Sequence, residues 1–253
     1  IAATRADSFY EGDLAERIVA HAARTGGHLT ATDLAGHASE WVEPISTDYR
    51  GYDVWEIPPN GQGIATLMAL NILEHEDIAA LRPVSVQAFH LGIEALKLSL
   101  TDAHRHVADP ARVEVPTAEL LSKEYAARRR RLLGYRAIDP EPGNPRASDT
   151  VYLCAADRNG MMVSFIQSNF HGFGSHVVVP GTGIALQNRG HGFSLEPGHP
   201  NELAPGKRPF HTIIPGFLTR GGEAVGPFGV MGGHMQAQGH VQVVMDTVDH
   251  GLD

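Results

Sequence analysis

Three places in the sequence combine residue types and spacing that could do chemistry. Thr150 stands where a Pro-, Gly- and Asp-rich stretch meets a strand-like run. A threonine hydroxyl hardly ionises near neutral pH and is a weak nucleophile unaided. A free α-amino group on the same residue, with an ordinary pKa of about 7.7–8.0, supplies a base. That requires cutting the Asp149–Thr150 bond, and the loop before it makes such a cut sterically accessible. The alternative is a β-branched residue that simply opens a strand. Second, Met231-Gly232-Gly233-His234 follows an apolar run and precedes a helix-like segment. Two adjacent glycines leave backbone N–H groups uncovered, as an oxyanion site needs. Third, Pro58-Pro59-Asn60-Gly61-Gln62-Gly63 leads into a helix. It presents N–H groups to an anion or is a plain turn. It lacks the G-x-x-x-x-G-K-[ST] spacing and a surrounding strand-GxGxxG unit, so the plain turn is the reading taken.

Metal chemistry is not expected. The 15 histidines include no H-E-x-x-H, and His104 and His106, two apart on a helix, do not share a face. Cys154 is the only cysteine, which excludes an intrachain disulfide and Cys-based zinc sites.

The 253 residues carry 20 Lys+Arg against 29 Asp+Glu, a formal net charge of −9. Hydrophobic residues at 42% and charged residues at 19% suit a folded chain with a sizeable core and disfavour disorder. The acidic balance argues against a nucleic-acid partner. The run Arg128–Arg131 reads as the solvated end of a helix. No apolar stretch approaches the ~18 residues that span a bilayer, so no membrane association is expected. The chain opens on Ile1 rather than Met, which reads as a cut or processed start and leaves localisation open.

The elements that must hold these residues follow from periodicity. Helices are expected over residues 13–25, 30–36, 63–73, 85–107 and 117–133. Residues 41–57 read as two strands around an Asp48–Gly51 turn. Residues 134–149 lack any period and read as a long loop, which at that length is functional or a linker. Beyond it the pattern changes. Residues 150–156 and 161–168 form a hairpin about Asp157-Arg158-Asn159-Gly160. Further strands are expected at 177–179, 184–187, 211–218 and 225–230, with a helix opening at 239–248. Helices first and strands afterwards suggest an α+β fold.

At this point the sequence resembles the gamma-glutamyltranspeptidase family of N-terminal-nucleophile hydrolases. The first half is similar to the later part of a large subunit through Phe9-Tyr10-Glu11-Gly12, residues 41–51 and 58–63. The second half is similar to the start of a small subunit through Asp157–Gly160, Gly172-Phe173-Gly174, Gly206-Lys207-Arg208-Pro209 and Met231-Gly232-Gly233. The resemblance implies part of a four-layer αββα sandwich. It divides the chain at 1–149 and 150–253, with 134–149 as the processing loop, into subunits of one precursor; a dimer of such pairs stays open. It also implies cleavage between Asp149 and Thr150, Thr150 as nucleophile, Ser168 as its support, and Gly232 and Gly233 as the oxyanion site. No cofactor is required.

Departures bear on substrate. The family's second threonine is Val151 here. Its asparagine falls on Phe170, with Asn169 one place short. The residues that bind a glutamyl α-amino group look like Arg189 and Gly192, and the serine pair on its carboxylate looks like His211 and Thr212. A cation suits a carboxylate, and arginine binds one bidentately; the alternative is an Arg189 turned to solvent. The expected activity is therefore Thr-dependent amide hydrolysis or acyl transfer on a small-molecule amide, either gamma-glutamyl peptides and glutathione or a non-glutamyl amide of the oxamate or acylase kind. A catalytically silent fragment is the third alternative.

Overall fold

The structure is a computed structural model that describes residues 1–138 and 150–252. Asp149 and most of the expected processing loop lie outside those residues. The helices are α1 (Asp7–Tyr10), α2 (Asp13–Arg24), α3 (Ala31–Ala35), α4 (Gly63–Leu73), α5 (Val86–His106), α6 (Thr117–Leu120), α7 (Lys123–Arg130) and α8 (Met235–Val248). The strands are β1 (Ile45–Tyr49), β2 (Tyr52–Glu56), β3 (Val151–Ala156), β4 (Met162–Gln167), β5 (Val178–Val179), β6 (Ile184–Ala185), β7 (Gly216–Arg220) and β8 (Glu223–Phe228).

Every residue of α4 is buried. A helix apolar on all sides belongs in the middle of a core. It packs on β1 and β2, with α5, α7 and α8 around it. Ala95, Leu96 and Leu98 of α5 and Ala237, Val241 and Val244 of α8 meet it in one cluster with Tyr49, Val54, Leu218 and Phe228 from the strands. The sheet beneath has the order β1-β2-β7-β8. Its central antiparallel pairing, Val54 opposite Leu218, joins the first half of the chain to the second.

β3 and β4 form the expected hairpin in the register Val151↔Gln167 to Ala156↔Met162. Asp157 Oδ1 closes its turn by accepting from the N–H of Asn159 (2.8 Å) and Met161 (2.9 Å). The hairpin lies against β8. Gly229, just past β8, permits this approach: a Cβ there would sit 2.4 Å from the Tyr152 ring. Val151, Leu153, Val163 and Phe165 on its other side are exposed. Helices against one antiparallel four-stranded sheet, with a second hairpin sheet, make the fold α+β.

Several expectations are corrected. The helix expected over 117–133 is two, because Ser122 interrupts it. The Ser122 hydroxyl accepts from Tyr125 N–H (3.2 Å) and donates to Glu119 O (2.9 Å), ending one helix and capping the next. The basic run is not merely solvated: Arg129 Nε is 2.9 Å from Asp102 and Arg130 Nη2 is 2.8 Å from Glu76. The strand expected from His211 begins at Gly216, and the helix expected from Gly239 already begins at Met235.

Candidate active site

The hairpin register places the first site. Val151 pairs with Gln167, so the residues just beyond, Thr150 and Ser168, face each other. The buried Thr150 hydroxyl donates to Ser168 Oγ across 3.2 Å. Ser168 Oγ also accepts the Phe170 N–H at 2.8 Å. Phe170 has φ +79°, a left-handed backbone that a bulky residue adopts only at a cost of about 1–2 kcal/mol. That turn carries the Phe170 ring into the cavity described next.

A cavity of about 280 Å³ opens beside this turn. Phe170, Arg189, Gly192, Asn201, Phe210 and Thr212 line it, together with four imidazoles from His104, His191, His199 and His234. No acidic side chain lines it among the described residues. The Arg189 guanidinium carbon lies 5.6 Å from the centre of the Phe170 ring. Both terminal nitrogens of Arg189 are buried without a hydrogen-bond partner among the described residues. Burial lowers the Arg189 pKa, yet a guanidinium stays charged at neutral pH. Burial, with Arg189 and Arg208 nearby, pushes His211 down to about 4. Burial and the neighbouring His234 and His199 do the same to His104, also to about 4. His234 is shifted down for the same reason, burial first. The imidazoles His104, His211 and His234 are thus neutral near pH 7, and Arg189 places a permanent cation at the cavity wall.

The second site is the turn between β8 and α8. Gly232 has φ +133° and Gly233 φ +63°, conformations that favour glycine. Among the described residues, neither N–H donates a hydrogen bond, while Gly232 O and Gly233 O accept from Met235 N–H (3.3 Å) and Gln236 N–H (3.1 Å). Free amides beside a helix start can stabilise a developing negative charge.

Thr150 and Ser168 therefore come together, Arg189 and Thr212 line one cavity, and the glycine turn has its amides free. His211 lies behind the cavity against Gly61, next to Thr212. Asn169 is exposed and is not a lining residue; its carbonyl accepts from Asn188 N–H (3.1 Å). Sequence reasoning missed His104, His191, His199, Asn201 and Phe210 as lining residues. The count of 15 histidines was the signal, but their separation along the chain hid their convergence. It also missed the buried pair Glu56–His240, 2.6 Å apart, and the contacts of Gln62.

A threonine at the head of a hairpin and a glycine turn with free amides are thus carried by one α+β fold. The family model for gamma-glutamyltranspeptidase matches residues 1–253, and the chain belongs to that family. It is 56% identical to a crystal structure of cephalosporin acylase from Bacillus halodurans, with a TM-score of 0.93 over 100% of this chain and 46% of that one. It is 43% identical to the glutathione hydrolase-like YwrD proenzyme of Bacillus subtilis, over 97% of this chain and 46% of the relative. It is 37% identical to the oxamate amidohydrolase proenzyme of Klebsiella pneumoniae, over 92% of this chain and 44% of the relative. The chain thus spans about half the length of the relatives it matches.

Proposed function

We propose that the protein containing this chain is an autoprocessed amide hydrolase that takes small amides whose acyl part carries a carboxylate but no ammonium group. Cleavage after Asp149 frees the Thr150 amine and divides the precursor into large and small subunits. Thr150 Oγ then attacks the amide carbonyl carbon while its proton passes to the Thr150 amine. The carbonyl oxygen becomes an oxyanion facing the Gly232 and Gly233 N–H groups. Collapse breaks the C–N bond, and the leaving amine takes the proton from the Thr150 ammonium. Water then attacks the resulting ester and gives a proton to the same amine; the acyl C–Oγ bond breaks, Thr150 Oγ takes that proton back, and the acid is released.

The observation that carries the substrate class is the unpaired, buried guanidinium of Arg189 in a cavity with no acidic lining residue among those described. A carboxylate completes that guanidinium bidentately. An α-ammonium group, as on a gamma-glutamyl donor, would meet a cation there with no counter-charge. The name of one relative, an oxamate amidohydrolase, supports the same reading, since oxamate carries a carboxylate and no ammonium group, and a cephalosporin acylase supports a non-glutamyl amide. The glutathione hydrolase-like name of the 43% identical relative favours the gamma-glutamyl alternative. A panel of gamma-glutamyl-p-nitroanilide, oxamate and glutaryl amides on the processed protein decides. Turnover of the gamma-glutamyl substrate alone would overturn the reading that the acyl part carries no ammonium group.

A further inference from the structure

The turn at residues 58–63 does more than enter a helix. Gln62 is fully buried at the start of α4. Its Nε2 donates to two carbonyls of the second half of the chain, Thr212 O and Gly233 O, each at 2.9 Å. Its backbone N–H donates to His211 O at 3.0 Å, and His211 N–H donates to Asn60 O at 3.2 Å. Asn60 Nδ2 donates to Pro209 O at 2.6 Å. Because both side-chain partners of Gln62 are carbonyls, the NH2 and not the oxygen must face them. Its Oε1 is left buried without a partner among the described residues. An orphan acceptor is costly, and a side chain that only filled space would be better served by Leu or Met.

The target of that amide is informative. Gly232 and Gly233 populate either sign of φ at little cost, so their own sequence does not fix where their N–H groups point. Gly233 O accepts from Gln236 N–H on one side and Gln62 Nε2 on the other. A carbonyl held by two donors cannot rotate without losing both bonds. The bond to Gln62 also ties this turn to the residue pair 211–212 at the cavity wall.

We propose that Gln62 is a positioning residue for the glycine turn. It anchors the Gly233–His234 peptide unit, which joins at Gly233 Cα the unit that carries the Gly233 N–H. That second unit is held in turn by Gly232 O accepting from Met235 N–H, so that the free Gly233 N–H keeps one orientation toward the developing oxyanion. It does not touch the substrate. This rests on the assignment of the glycine pair as the oxyanion site. Preorganisation of this kind acts on the transition state, so losing it lowers kcat and leaves KM nearly unchanged.

The test uses the full-length protein with Gln62→Met, an isosteric side chain without donors, and Gln62→Asn, whose amide falls short of both carbonyls. Thr150→Ala is the control. Fold is checked by circular dichroism, maturation by mass spectrometry, and kcat and KM with the best substrate of the panel. We expect a folded Gln62→Met protein whose kcat falls about 100-fold with KM changed less than about threefold. Self-cleavage passes through a tetrahedral oxyanion as well, so a folded but uncut variant also supports the role. An unchanged kcat in either folded variant, or a raised KM with kcat intact, overturns it. Failure of both variants to fold makes Gln62 a folding residue only and overturns it too. Activity surviving in Thr150→Ala instead defeats the nucleophile assignment, a result independent of Gln62.

Discussion

The Thr150 hydroxyl donates to Ser168 Oγ across 3.2 Å, linking the residue before β3 to the residue after β4. Mass spectrometry of the purified full-length protein is expected to show a fragment beginning at Thr150. Thr150→Ala is expected to abolish both this cleavage and turnover. Ser168→Ala removes the acceptor but not the nucleophile. One hydrogen bond of about 1–1.5 kcal/mol corresponds to about tenfold in rate, so slower cleavage and turnover by that factor are expected. An intact chain after long incubation would remove Thr150 from the mechanism.

Arg189 lies over Phe170 with both terminal nitrogens unpaired. Arg189→Met keeps much of the packing and removes the charge. Losing a charge-assisted bond of about 1.5–3 kcal/mol raises KM for a carboxylate-bearing amide about 10- to 100-fold. A neutral amide of similar size should be unaffected. Equal losses on both substrates would make the guanidinium structural.

Acid stability should reflect the buried imidazoles. His104 and His211 sit near 4 in the folded protein against an ordinary value of 6.5. Below 6.5 the unfolded chain takes up protons that the folded chain refuses. Their contribution is therefore intact above pH 6.5 and is lost as pH falls toward about 4, at up to about 1.4 kcal/mol per pH unit for each group. Melting temperature measured from pH 7.5 to 4 should fall in that window. His104→Gln should flatten the slope, and an unchanged slope would remove His104 as its source.

Glu56 and His240 form a fully buried pair, 2.6 Å apart, between β2 and α8. Burial pushes the Glu56 carboxyl up, and the imidazole pulls it back. Removing one member strands the other: His240→Ala should cost about 3–5 kcal/mol in urea unfolding. Replacing both with leucine should cost less than the single change. Equal costs would show that the two residues do not act as a pair.

Much of this was legible beforehand, for identifiable reasons. The β3–β4 hairpin was readable because its alternation has period two and Asp157–Gly160 is a local turn signal. Thr150 and the glycine pair stood out because chemistry at those positions needs little beyond the residue itself. The strand expected from His211 was misplaced because residues 211–212 spend their backbone groups on Asn60 and Gln62 rather than on a ladder. The cavity was not legible: its lining comes from α5, the Phe170 turn, residues 189–201 and the glycine turn, which only tertiary packing brings together. Gln62 looked like part of a turn, and nothing local announces a side chain that reaches two distant carbonyls.

The pairing of β2 with β7 has a consequence for reversibility. Under the proposed cleavage between Asp149 and Thr150, both strands belong to one polypeptide before the cut and to two afterwards. The precursor can form this sheet in a unimolecular step, at the entropy cost of closing one loop. After scission the same strands must find each other by diffusion, and regaining the sheet depends on concentration. A mature enzyme diluted from denaturant should recover poorly where its uncut Thr150→Ala precursor recovers well, although both share the same folded contacts.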